Sequence, residues 1–151
     1  MKDFTALDPD FAKRTRVSFE RQAFMKTIGA TLEQVEAGFV EIHLPINPAI
    51  TQQHGFVHAG AVASIADSAC GYAAFTLMPA DAGVLAVEFK INLMAPAKGE
   101  LLIARGRVLR SGRTLSVCQT EVIALSEDGE KTVALLTSTV MTVRDKEGVR
   151  G

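Results

Sequence analysis

The chain has 151 residues, room for one domain that buries about 70% of its unfolded surface. Sixteen Lys and Arg stand against 17 Asp and Glu, a net charge of −1, which excludes the strongly basic footprint of a nucleic-acid or acidic-membrane binder. At 48% hydrophobic residues the chain is too apolar for disorder, yet no apolar run reaches the length of a membrane span. Met1 to Thr5 lack the apolar stretch of a signal peptide. Cys70 and Cys118 allow one bridge at most and no cysteine-rich metal site. The expectation is a soluble, cytoplasmic protein with a single domain over residues 1–151, making no contact with nucleic acid or membrane.

Asp8-Pro9 reads as an N-cap with proline at the first helical position. It opens a helix over about 9–28, which Gly29 stops. Phe11, Thr15, Phe19 and Ala23 recur every four residues, giving a packing side opposite a solvated Lys/Arg face. Short strands at Ala30–Glu36 and Phe39–Leu44 join at Ala37-Gly38, and Pro45 and Pro48 mark a loop. Ala59 to Leu77, rich in alanine and free of proline, reads as a helix about 28 Å long. Val62, Ile65, Ala66, Ala69 and Ala73 share its apolar side. Gly60, Ser64, Asp67, Ser68 and Gly71, all small or polar, share the other.

Four strand-rich runs follow: Val84–Met94, Glu100–Arg110, Arg113–Leu125 and Lys131–Arg144. Pro96 with Gly99 sits in the first connection, and Ser111-Gly112 and Asp128-Gly129 read as hairpin turns. Antiparallel pairing follows, because parallel strands need long crossovers. A long helix of small side chains ahead of four long strands implies an α+β fold. A curved antiparallel sheet would wrap the helix, with an extra helix at the N-terminus.

One residue is out of place in that scheme. From Ile42 to Ala80, thirty-nine residues, Asp67 is the only charged one, where a chain 22% charged would place about eight. Aspartate is a poor helix-interior residue, and a carboxylate among Ile65, Ala66, Ala69 and Cys70 is costly to desolvate unless paired or protonated. Just upstream, Gln52 to Gly60 lead into the helix, whose first N–H groups have no internal acceptors and carry the positive end of the dipole. They form a cradle for a carbonyl oxygen that turns anionic during acyl transfer, and the small Ala59 and Gly60 let a substrate come close. His54 and His58 are four apart, but the glutamate of a zinc-protease helix is missing and position 55 is glycine, so no metal is expected. His58 reads as a residue that fixes the loop, and Cys70 as a buried small residue.

Gln52, Gly55, His58-Ala59-Gly60 and Asp67 follow one pattern: an amide, a glycine, His-small-Gly opening a helix, and Asp nine residues after the His. Val87 to Ala97 add a strand ending in proline, and Gly112-Arg113-Thr114 a later hairpin. Over about Ala30 to Val143 the chain resembles the hotdog-fold acyl-CoA thioesterases, specifically the phenylacetate-degradation (PaaI-type) branch. The resemblance implies a hotdog core over about 30–143 and hydrolysis of small to medium acyl or aryl-acyl coenzyme A thioesters by dimers or dimers of dimers. No cofactor is implied, since coenzyme A belongs to the substrate. Carried over, Asp67 would be nucleophile or general base and the Ala59 N–H the oxyanion donor. Gln52 and His58 would orient water and substrate, with Gly55, Gly60 and Ser68 lining the substrate. Three positions depart from the pattern: Ala59 replaces a glycine, Gln52 an asparagine, and Ala86 a Ser or Thr that helps hold water.

Ala59 and Asp67 lie eight residues apart, about 12 Å along one helix. Both must come within about 3 Å of one reacting group, which a single helix cannot arrange. Antiparallel helices from two subunits can, so a two-fold homodimer with sites at its interface is expected. Arg105, Arg107, Arg110 and Arg113 have no acidic residue among them, and Lys90 and Lys98 precede. Lys90, Arg110 and Arg113 are the candidates for the phosphates of coenzyme A. Two other readings stay open: a hotdog acyl-CoA binding protein without turnover, and a hotdog enoyl-thioester hydratase or dehydratase.

Overall fold

The computed structural model describes residues 4–144 and 148–149. The N-terminal segment forms two helices, α1 (Phe11–Glu20) and α2 (Ala23–Ile28), rather than the single helix expected from its spacing. The break falls at Arg21-Gln22, where Gln22 takes an extended backbone (φ −74, ψ 100). Asp10, not Asp8, precedes the first turn. Asp8 instead accepts from the Asp10 N–H (2.9 Å) and pairs with Arg14 (2.9 Å). Gly29 ends α2 in the left-handed conformation (φ 81), as a C-terminal glycine should.

Strands β1 (Thr31–Glu36) and β2 (Phe39–Pro45) form a hairpin. A short 3-10 turn at Pro48–Ile50 then leads to the long helix α3 (Ala59–Phe75). Four strands follow: β3 (Gly83–Leu93), β4 (Leu101–Arg110), β5 (Leu115–Ser126) and β6 (Gly129–Val143). All pairings are antiparallel, in the order β1-β2-β4-β5-β6-β3. Both expected hairpins form, and β4-β5-β6 is a meander. The connection through Pro96 and Gly99 is a crossover instead, and it sets β3 beyond β6 at the sheet edge. One curved sheet thus holds one central helix: the α+β hotdog arrangement.

The sheet seats α3 through small side chains. Val62, Ile65, Ala66, Ala69 and Ala73 are buried against Ile42, Leu102, Ala104, Val122 and Leu136 of the sheet. A Cβ on Gly106 of β4 would lie 2.4 Å from the Ala69 carbonyl oxygen, so glycine is the residue that lets strand and helix touch. Thr120 of β5 donates its hydroxyl to the Ala66 carbonyl (2.9 Å), fixing the helix lengthwise.

Helix α1 closes the other end. Arg14 donates to the carbonyl oxygens of Phe75 (3.2 Å), Met78 (2.8 Å) and Pro79 (2.9 Å), tying α1 to the C-terminal end of α3 and the turn that follows it. Its guanidinium also lies 4.1 Å from the centre of the Phe75 ring. Phe19 meets Tyr72 edge-on at 5.6 Å between ring centres. Among the described residues no helix is long and apolar enough to cross a membrane.

The Gly106 contact yields a stability prediction. Gly106→Ala should cost about 1–3 kcal/mol through overpacking, read as a lower urea midpoint with unchanged slope. An unchanged midpoint would mean the helix is free to lift from the sheet.

Candidate active site

Asp67 is the side chain the packing leaves unexplained. It sits mid-helix on the face of α3 turned from the sheet core, half-buried, and its Oδ1 is shielded from solvent without any hydrogen-bond partner. Burial pushes its carboxyl up from the ordinary value, and no cation among the described residues offsets it. It lines a cavity of about 570 Å³ with Ser68 and Gly71 of α3, Ser18 of α1, the Arg21-Gln22 break, and Gly83 to Ala86 of β3. Ala86 therefore lines the same cavity as Asp67.

The start of α3 is built by its loop. Gln52 accepts from Gly55 N–H (2.9 Å), its side chain accepts from His54 N–H, and Gly55 adopts a positive φ of 81 that closes the turn. His58 is the N-cap: its Nδ1 accepts from the Gly60 N–H at 2.8 Å, which leaves the ring proton of a neutral imidazole on Nε2. The Gly60 N–H is thereby used. Among the described residues nothing accepts from the Ala59 N–H, and Ala59 lines a second cavity of about 600 Å³ with Gln52, Phe56, His58, Val62, Leu93 and Met94. Among the described residues no three His, Cys, Asp or Glu converge as metal ligands, and His54 lies apart on the exposed turn.

The two cavities are separate in one chain, and β3 is what joins them. Its Gly83 to Ala86 end borders the Asp67 cavity, and Leu93 with the following Met94 borders the Ala59 cavity. Between them Leu85, Val87, Phe89 and Leu93 are 41–55% exposed on the free edge of the sheet. An apolar strand with an open row of backbone donors and acceptors is a surface that pairs with another strand.

The proposed phosphate residues are dispersed. Arg105 is not a free cation: it meets Glu41 at 2.9 Å and Glu130 at 3.5 Å across the sheet. Sequence neighbours could not show these acidic partners, since β2 and β6 bring them. Arg107 bonds Gln119, and Lys90 bonds Asn92. Arg113 lines a third cavity with Met78, Pro79 and Ser116, near the C-terminal end of α3. Lys90, Arg110 and Arg113 border neither the Asp67 nor the Ala59 cavity. Missed from the sequence were Ser18, Arg21, Gln22 and Tyr72, which wall the Asp67 cavity. The one signal for them was Tyr72, the only tyrosine in the chain, five residues after Asp67.

A single helix held in a curved antiparallel sheet is the hotdog fold, and this one carries a desolvated carboxylate on its free face. The profile of the thioesterase superfamily matches residues 54–131, and the chain belongs to that superfamily: it is a thioester hydrolase. A thioesterase family protein from Silicibacter pomeroyi of known structure is 46% identical, superposes with a TM-score of 0.87, and aligns over 89% of this chain and 98% of its own. The E. coli PaaI protein from the phenylacetic acid degradation operon shares the fold at 22% identity and a TM-score of 0.79, over 96% of this chain and 99% of its own. A 1,4-dihydroxy-2-naphthoyl-CoA hydrolase from Listeria monocytogenes is 22% identical over 81% of this chain and 97% of its own.

The state of Asp67 has a thermodynamic signature. Its carboxyl holds a proton more tightly folded than unfolded, so folding stability falls as pH rises through the ordinary value to the raised one. Asp67→Asn should therefore melt above the natural protein at neutral pH. The gap should close as pH drops through the raised value. A variant that melts lower at neutral pH would show that the carboxylate is satisfied after all.

Proposed function

We propose that the protein hydrolyses coenzyme A thioesters of small to medium acyl or aryl-acyl groups in a two-fold homodimer, each site combining Asp67 of one subunit with the start of α3 of the other. The observation that carries this reading is the division of the machinery between two cavities at opposite ends of one exposed apolar strand. If β3 pairs antiparallel with a second copy of itself, the Gly83 end of one strand meets the Leu93 end of the other. The half-sites then face each other in two equivalent places. The likeness to a 1,4-dihydroxy-2-naphthoyl-CoA hydrolase supports coenzyme A thioesters as the substrate class.

In this reading the thioester carbonyl oxygen accepts from the N–H of Ala59 of the partner subunit, where the helix dipole favours the charge that develops on it. Asp67 acts as general base. Water adds to the carbonyl carbon while its proton passes to the carboxylate, and a raised pKa suits that transfer. The tetrahedral adduct then expels the coenzyme A thiolate, which takes up a proton, and the carboxylic acid remains. His58 holds the first turn in place through the Gly60 N–H, and Gln52 holds the loop that presents Ala59.

Asp67→Asn should lower turnover by about 10²–10⁴ in a thiol-release assay. Ala59→Pro removes the open N–H at a position where proline is tolerated and should also lose activity while remaining folded. Mixing the two inactive variants and allowing subunits to exchange tests the shared site. Each mixed dimer holds one doubly altered and one intact site, so about a quarter of natural activity should return. No recovery on confirmed exchange would place Asp67 and its oxyanion donor in the same chain.

A further inference from the structure

Gly83 opens β3, buried and without a positive φ, so its backbone conformation does not call for glycine. Close packing does. A Cβ built there would lie 2.8 Å from the Val149 carbonyl oxygen and 2.9 Å from its Cγ1. Neighbours that close exclude any side chain, and the nearest is backbone that cannot swing away. Gly148 is glycine for the opposite reason. A Cβ there would meet nothing within 4 Å, but its φ of 80 lies in the left-handed region. One glycine thus turns the chain and the other receives it. The contact adds little to the core, since Val149 is only partly buried and stands outside the hydrophobic cluster. What it does wall is the Asp67 cavity, which Gly83, Gly148 and Val149 line together.

We propose that Val149, seated on Gly83, is a positioning residue: it straps the β3 side of the Asp67 cavity and keeps bulk water off the carboxyl. The inference rests on the general-base reading above and adds the group that maintains the surroundings of the base. A carboxylate open to solvent is hydrated and weakly basic, whereas a shielded one takes a proton more readily from the single water beside it. Shielding of that kind needs apolar walls, and Val149 supplies one with Val84, Leu85 and Ala86 of β3. The Asp67 Oδ1 is sealed from solvent in this cavity without a hydrogen-bond partner, so the walls set its surroundings rather than a bonding group. Among the described residues, Arg21 at the break and Tyr72 of α3 are the other titratable groups of the cavity, and β3 brings none. The Cys70 thiol is near enough to feel the Asp67 charge. None of the three offsets the burial that raises the Asp67 carboxyl, so its state depends on what covers it.

The test follows the Asp67 carboxyl directly, by carbon-13 NMR titration of the whole chain, with Asp67→Asn to assign the signal. Val149→Gly removes the covering side chain, and Gly83→Ala puts a methyl group where the Val149 backbone lies. Each should lower the Asp67 midpoint by about half a pH unit or more, toward the ordinary carboxylate range. With hexanoyl or benzoyl coenzyme A, the acid limb of kcat/KM in thiol release should move down with it, and kcat should fall about threefold to tenfold. Deleting residues 148–151 should reproduce the shift, and Gly83→Ala on that shortened chain should then add nothing. Val149→Gly and the deletion carry the test should Gly83→Ala not fold. A midpoint unmoved in both of these overturns the inference, since the cavity is then covered without Val149. So does a Gly83→Ala shift that persists undiminished on the shortened chain. Full turnover in Asp67→Asn would instead refute the general-base reading, and the titration reports on the strap in that event too.

Discussion

Everything in the molecule turns on how closely α3 lies on the sheet. The Ala69 carbonyl and the bare Cα of Gly106 are in direct contact, and alanines line most of the helix face that meets β4 and β5. Such contact leaves no slack for the helix to roll or slide, and the Thr120 bond to Ala66 pins it along its length. The opposite face of α3 is thereby presented at a fixed angle, with Asp67 and Gly71 on it. A site needs that rigidity, because an error of an ångström between carboxylate and carbonyl is enough to spoil the chemistry.

The two ends of α3 are treated differently. At the C-terminal end Arg14 reaches from α1 and occupies three carbonyl oxygens of that end and the turn that follows it. At the N-terminal end the protein satisfies the Gly60 N–H with His58, and among the described residues nothing accepts from the Ala59 N–H. A helix capped at one end and open at the other directs its dipole toward a ligand. Asp67, half-buried and with no hydrogen-bond partner for its Oδ1 among the described residues, is a second local conflict of the same kind. Both reduce stability where they stand, the kind of local cost that proteins carry at functional sites.

The helix and its apolar stripe were legible because all five stripe residues are apolar, three of them alanine, and recur at three and four positions, a pattern no strand mimics. Asp67 stood out by isolation, and the small residues around it followed from the same helical spacing. What the sequence concealed was non-local. Nothing near Arg105 announces Glu41 or Glu130, which arrive from β2 and β6. The crossover that carries β3 past β6 has no local turn signature, since Pro96 and Gly99 suit a hairpin or a crossover alike. The break at Arg21-Gln22 lacks glycine and proline, so helical spacing runs through it unmarked. With it went the wall of Ser18 and Tyr72, which exists only after α1 has docked on α3.

The place of β3 in the sheet has a further consequence, for how the chain acquires its shape. Among the described residues its only strand neighbour is β6, and Gly83 is matched with Val143, sixty positions later. On a ribosome adding about 5–20 residues per second, β3 emerges seconds before any partner exists for it. The local hairpins can close meanwhile, but this pairing must wait for the last strand, which makes it the slow, long-range step of folding. A chain cut short before β6 would therefore leave β3 with two bare edges and β5 with one, an adhesive fragment rather than a smaller enzyme.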